Sequence, residues 1–491
     1  MTIKLAASSL RTLPPSVAVP KYSHRDLSPG IVHFGVGNFH RAHQAAYLDA
    51  LFNLGEDRDW GLIGAGVRPA DAQMREVLAR QDFLTTIVEQ EAQGTTAHVT
   101  APMIDYIAPG DTARLIETLA SPEIRIVSMT ITEGGYFLDS EGHFNPTHPE
   151  IVADAADPEI PKTVFGLIVA GLVARREKGL APFTVMSCDN IPGNGHVTEN
   201  AVAGLAELID PELAQWVRES VAFPNSMVDR ITPATSDRER AILEKDFGVA
   251  DGWPVFCEKF TQWVMEDTFP LGRPALEKVG VTFVGDVAPW ELMKLRILNG
   301  GHAAIAYPAA LMDIHFVHEA MEEPLISAYL EKLTKEEIIP VVPPVPGTDL
   351  DAYRALIASR FANPKIGDTI QRLCLDGSNR QPKFILPSAH DRLAVGAPVT
   401  GLALVSALWC RYCYGVTDTG RTIAPNDPNW DRIQRASIKA KDDPRAFLAM
   451  DDIFGAAAKS PAYVDTFSRA LQTVWAEGAR ETLTRYLNDA L

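Results

Sequence analysis

The chain has 491 residues, 46% of them hydrophobic and 22% charged, and a formal charge of −18 at pH 7. That length exceeds one ordinary hydrophobic core, so two domains or three are expected of a globular protein with this composition. The negative charge argues against nucleic acid or an anionic membrane as partner, because both need a cationic face.

The five cysteines (Cys188, Cys257, Cys374, Cys410 and Cys413) are odd in number and scattered. They form no disulfide framework and point to a reducing, cytoplasmic setting. Cys410 and Cys413 make one isolated C-x-x-C in a stretch that reads as helix, without a second ligand pair. Helix packing is preferred there over zinc. Residues 1–9 lack the apolar core of a signal peptide, and the longest apolar run, 164–174, is too short to cross a bilayer. No long heptad or patterned apolar face is evident, so a monomer is expected.

In chain order, residues 1–28 form a proline-containing lead-in. Residues 30–37 read as a buried strand ending in glycines, and 39–54 carry the apolar spacing of a helix. Further strands are expected over 60–67, 83–88, 124–131 and 183–187, with a buried helix over 164–174. Strands alternating with helices imply a largely parallel sheet covered on both faces. The texture changes near 281–284. From Pro289, a residue suited to a helix's first turn, helical periods run to the end. The proline-rich tract 338–347 is expected to be an extended loop. The organisation is therefore an α/β domain over 1–284 and a mainly α-helical C-terminal domain over 285–491.

Gly35-x-Gly37 ends the first strand and opens a helix, where a dinucleotide pyrophosphate would meet bare backbone N–H groups. The third glycine of the usual fingerprint is replaced by His40, so a plain strand-to-helix turn is the competing reading. His40, Arg41 and His43 add donors suited to phosphate. After the second strand comes the stretch that selects the adenosine ribose, here Arg68-Pro-Ala-Asp71. Asp71 suits a ribose diol and repels a 2′-phosphate, Arg68 welcomes one, and Asp71 as a helix N-cap is the alternative. With Gly35, Gly37, His40, Arg41, Arg68 and Asp71, the residues Phe39, Thr132 and Glu133 make up the candidate cofactor set.

The segment 293–302, Met-Lys-Leu-Arg-Ile-Leu-Asn-Gly-Gly-His, places Lys294, Asn299 and His302 at helical spacing in a run that is apolar apart from Arg296. At about 100° per residue, Glu291 lies about 60°, His302 about 80° and Asn299 about 140° from Lys294, so all four share one sector, which Leu298 also enters. A free lysine, with a pKa of about 10.4, acts as a base near neutrality only where burial or a neighbouring cation lowers that value. The alternative is a lysine snorkelling to water. Ser187-Cys-Asp-Asn190 follows a strand and so falls at the carboxyl edge of the sheet, where ligands bind in open α/β folds. Asp229-Arg230 is either part of a site or a structural ion pair.

At these residues the sequence resembles the polyol-specific long-chain dehydrogenases, the mannitol dehydrogenase family. The resemblance covers nearly the whole chain. It is carried by Val-Ala-Phe-Pro-Asn-Ser-Met-Val-Asp-Arg-Ile-Thr-Pro over 221–233, by the glycine turn through His43, by Lys294-x4-Asn299-x2-His302, and by Asp376-Gly-Ser-x3-Pro382-Lys-Phe. It implies a Rossmann-type domain, a helical domain, an active site between them, and a zinc-independent, NAD-dependent oxidation of a sugar alcohol at C2. D-mannitol and D-fructose are the pair expected, with D-arabinitol or D-sorbitol as further substrates. By the same resemblance Lys294 is the general base, and Asn190 and Asn299 hold the alkoxide. Asp229, His302 and Arg372 bind hydroxyls, and Glu291 lines the proton's route out. Such enzymes often carry two adjacent acids after the second strand. Here the first is Ala70, so some NADP use is expected. Fructuronate or tagaturonate reduction is the alternative within the family, with Arg380 and Lys383 as the extra cations. A nucleotide-binding sensor without catalysis is the alternative outside it.

Overall fold

A computed structural model describes residues 2–139 and 141–491. The chain divides into two compact units, Met1–Ala288 and Pro289–Leu491.

The first unit is organised by a five-stranded, wholly parallel sheet. Its strands are β1 (Pro29–Phe34), β2 (Gly61–Ala65), β3 (Met103–Ile107), β4 (Ile126–Met129) and β5 (Thr184–Ser187), in the spatial order β3-β2-β1-β4-β5. Successive residues of a strand face opposite sides. Accordingly, Val32 and Phe34 of β1 join one core with helices Thr112–Leu119, Val164–Glu177 and Asn194–Ile209. Ile31 joins a second core with Leu48, Leu51 and Phe52. Both faces are thus covered, which is why these strands read as apolar runs and not as alternations. A four-stranded mixed sheet (17–18, 94–100, 85–91, 255–258), a three-stranded one (226–229, 262–266, 282–284) and a two-stranded parallel one (3–4, 249–250) complete the unit.

The expected helix over 39–54 is two helices, α1 (Asn38–Ala42) and α2 (Gln44–Asn53), broken at His43, whose φ of −117° and ψ of −90° leave the helical region.

Among its described residues the second unit contains helices and no named strand. Its helices include α3 (Ala288–Met293), α4 (Gly300–Leu311), α5 (Leu350–Phe361), α6 (Thr400–Cys413) and α7 (Pro461–Leu487). Three segments adopt the wider i→i+5 turn: Lys294–Asn299, Thr334–Ile338 and Gln381–Ile385. The proline-rich tract expected to be a loop begins helical, through a 3₁₀ turn at Ile339–Val341, because Pro340 sits in its first turn and needs no donor there. Glu337 anchors this region. Its buried carboxylate accepts the N–H groups of Gly401 (2.6 Å) and Leu402 (3.0 Å), at the start of α6, whose own N-cap residue supplies no side-chain bond. No helix among the described residues is long and apolar enough to cross a membrane.

Candidate active site

In the first unit the candidate residues gather at the carboxyl ends of β1, β2, β4 and β5. Gly35 has a φ of +86°, and a Cβ there would lie 2.1 Å from the Thr130 carbonyl oxygen, so the turn admits only glycine. At Gly37 a Cβ would meet nothing closer than 3.8 Å, and no side chain caps the helix that follows. The backbone is open on that side, as a cofactor turn requires.

His40 and Arg41 stand differently from the expectation of surface donors, since both are 1% exposed. Arg41 donates to Asn38 Oδ1 (2.8 Å), Gly37 O (3.3 Å) and the Trp253 carbonyl. His40 stacks on His33 with ring centroids 3.4 Å apart. The rings of His33 and His40 lie beneath the turn, where His33 meets Ser128 Oγ (2.8 Å) and Thr130 Oγ1 (3.0 Å). Burial pushes His33 down to about 3, and His40 well below its usual range, the latter helped by His33 and Arg41. Two neutral rings therefore brace the turn from inside. His43 is equally inward, with Nε2 at 2.9 Å from Gln262 O.

After β2, Asp71 is the first residue of a helix, Asp71–Arg80, with Ala70 as N-cap, so it is not itself the cap. Its Oδ2 accepts the N–H groups of Val67 and Arg68, each at 2.9 Å, and this fixes the turn that would meet the ribose. Arg68 is exposed beside it. After β4, exposed Thr132 and Glu133 open a short 3₁₀ turn, Glu133–Tyr136. After β5, Asn190 is exposed in a turn next to Asp189, whose carboxylate is nearly buried.

Asp229 ends the strand Ser226–Asp229 and is 6% exposed. The ion pair suspected of Asp229-Arg230 exists, but Arg230 makes it with Glu89 (2.6 Å), while donating to Ala42 O (2.6 Å) and Glu258 O (2.9 Å). Neighbours along an extended chain point apart, so the two charges serve different places. Sequence reasoning had no signal for Glu89, which lies 141 residues away.

In the second unit the lysine segment is not one continuous α-helix. Glu291 lies in α3, Lys294 to Asn299 make the i→i+5 turn, and His302 lies in α4. An i→i+5 turn brings Asn299 just past one full turn from Lys294, closer to it within the shared sector than the about 140° of the α-helical count. Lys294, Asn299 and Glu291 are all half-buried. Arg296 pins the turn from behind by an ion pair to Asp391 (2.6 Å) and a hydrogen bond to the Val341 carbonyl. His302 stacks on Phe361 of α5, with centroids 4.0 Å apart and ring planes 16° from parallel. Burial first, then Arg372, Arg360 and Arg380, hold its pKa well below the usual range. A neutral ring offers one donor and one acceptor, which matches a hydroxyl. Arg372 is half-exposed and gripped by Asp368, with Nε at 2.5 Å from Oδ1. Phe361 and Arg360 were not singled out in the sequence, because an α-helix 59 residues downstream carries no local mark of what it stacks on. Among the described residues no group of three His, Cys, Asp or Glu side chains is placed to hold a metal ion.

Comparison with known proteins adds to this geometry. Residues 29–278 match the mannitol dehydrogenase Rossmann domain, and residues 286–475 the mannitol dehydrogenase C-terminal domain. A mannitol 2-dehydrogenase of Cereibacter sphaeroides is 59% identical over 473 residues, covering 96% of this chain and 99% of the relative. A Pseudomonas fluorescens mannitol 2-dehydrogenase, solved as a ternary complex with NAD and D-mannitol, is 44% identical, with a TM-score of 0.88 over 99% of this chain and 100% of the other. A substrate-free D-sorbitol dehydrogenase is 34% identical, with a TM-score of 0.91 over 98% and 100%.

Proposed function

Because the chain belongs to the mannitol dehydrogenase family and is an NAD-dependent polyol dehydrogenase, we propose that it oxidises D-mannitol at C2 to D-fructose, with D-arabinitol or D-sorbitol as further substrates. NAD, when bound, accepts the hydride from the carbinol carbon. Gly35, Gly37 and Phe39 receive its pyrophosphate side, Asp71 and Arg68 its adenosine ribose, and Thr132 and Glu133 the loop beyond β4. His40 and Arg41 shape that site from within the domain.

The chain's own chemistry is the handling of one proton and one oxygen. Lys294 takes the proton from the secondary alcohol. Asn190 and Asn299 donate carboxamide N–H groups to the alkoxide, which stabilises the charge as it develops without competing for the proton. Asp229, His302 and Arg372 bind the remaining hydroxyls, and Glu291 passes the proton outward. The observation that carries this reading is the i→i+5 turn, which sets Lys294 and Asn299 on one face. The ternary complex of the Pseudomonas fluorescens relative supports the choice of NAD and D-mannitol. The roles of 1–284 as the cofactor domain and 285–491 as the substrate domain, and a cytoplasmic location, belong to the same proposal.

The cations near His302 (Arg360, Arg372 and Arg380) favour a second reading, an acidic substrate such as D-fructuronate. Steady-state assays on D-mannitol with NAD and on D-fructuronate with NADH separate the two. Higher catalytic efficiency on the uronate removes the mannitol assignment. Turnover is expected to be unchanged by a chelator; loss of activity restored by a divalent ion would replace the carboxamides with a metal.

A further inference from the structure

We propose that Asp189 is a positioning residue that locks the loop after β4 to the Asn190 turn after β5. The inference rests on the reading above in taking Thr132 as part of the cofactor site and Asn190 as an alkoxide donor. Asp189 is 9% exposed, and its carboxylate accepts three hydrogen bonds, from the Ile131 N–H (2.9 Å), the Thr132 N–H (2.9 Å) and the Tyr136 hydroxyl (2.8 Å). The main chain of Asp189 is itself fixed. Asn194 Nδ2 donates to Asp189 O (3.0 Å) and to Ser226 O (2.8 Å), and Asn194 Oδ1 accepts the Ser226 N–H (2.9 Å).

What the carboxylate holds is strained. Thr132 has φ 64° and ψ 164°, a region that only glycine enters freely, and its side chain is β-branched. Phe137, at the other end of the same loop, is left-handed at φ 53° and ψ 45°. Such conformations persist only where the surroundings over-determine them. Here one buried carboxylate takes two consecutive N–H groups, one on each oxygen, and so dictates the peptide orientation at Thr132. The next residue along the chain from that carboxylate is Asn190. A single anchored residue thus sets both the cofactor loop and the alkoxide donor, and neither can shift without the other.

The test is a cycle of variants in the full-length enzyme. Asp189→Asn keeps the size but turns an NH2 toward one of the two N–H donors. It is expected to raise the NADH Kd and to lower kcat, each at least tenfold, in protein whose NADH-titratable sites still number one per chain. Thr132→Gly alone loosens the loop and lowers kcat/KM for NAD. In the Asp189→Asn background the same substitution is expected to raise it at least fivefold, because glycine holds the loop conformation without the clamp. A general loss of packing does not reverse sign in this way. If Asp189→Asn yields no soluble protein, the double variant is expected to yield soluble protein that binds NADH. A double variant as poor as Asp189→Asn or poorer overturns the proposal, as does a fall in kcat with the NADH Kd unmoved. Asn190→Ala, measured in parallel, is expected to lower kcat and leave the NADH Kd alone. If its kcat is unchanged, the alkoxide assignment falls, while the sign of the Thr132→Gly effect still decides the clamp.

Discussion

The buried histidines under the glycine turn predict an acid sensitivity that can be worked out and isolated. His33 is held down to about 3, from an ordinary value of 6.5, chiefly by burial. Between those values the unfolded chain binds the proton and the folded chain does not, so stability falls as pH falls. The contribution is fully present above pH 6.5 and is lost progressively toward pH 3. Each pH unit inside the window is worth about 1.4 kcal/mol, so moving from pH 7 to pH 5 costs about 2 kcal/mol from His33 alone. His40 adds to the loss. Asp49, raised to about 6 by burial, works in the opposite direction, since its folded carboxyl retains the proton longer. A variant separates the terms. In His33→Gln the Asp49 contribution remains, burial and Arg41 still hold His40 down, and the His33 contribution is gone. Urea unfolding of both proteins at pH 7 and pH 5, followed through the transition that abolishes NADH binding, should show the stability gap between them narrow by about 2 kcal/mol at the lower pH. A gap constant to within about 0.5 kcal/mol would refute the claim that His33 is kept neutral by burial.

Two further outcomes follow from other parts of the molecule. Glu337→Ala removes the acceptor of two buried helix N–H groups and is expected to cost about 2–4 kcal/mol by chemical denaturation, with Glu337→Gln retaining part of it; a loss below about 0.5 kcal/mol contradicts the capping role. Asp71→Ala removes the charge that opposes a 2′-phosphate and leaves Arg68, so the ratio of kcat/KM for NADP to that for NAD should rise at least about tenfold, equivalent to about 1.4 kcal/mol; an unchanged ratio removes Asp71 from cofactor selection.

Much of the first unit was legible because a parallel sheet buried on both faces writes apolar runs into the sequence. β2, β4 and β5 fall inside the stretches expected of them, and β1 begins one residue before its own. Gly35 was legible because a positive φ against Thr130 admits no other residue. The break at His43 and the i→i+5 turn at Lys294–Asn299 were not. Both change the backbone hydrogen-bond pattern while leaving the apolar spacing nearly helical. The inward direction of His40 and Arg41 was also hidden, since polar side chains after a glycine turn look alike whether they face phosphate or the partner ring of His33. Asp189 escaped notice for another reason. Its importance lies in N–H groups 57 and 58 residues earlier in the chain, a pairing that only the parallel neighbours β4 and β5 create.

The most direct test of the central claim is the Lys294→Ala variant, assayed for D-mannitol oxidation with NAD and for NADH binding in the same preparation. A general base contributes about 10²–10⁴ in rate. Turnover is therefore expected to fall by at least about 10² while the NADH Kd stays within about twofold of the parent. Turnover equal to that of the parent, with the cofactor bound as before, would contradict the assignment of the proton to Lys294.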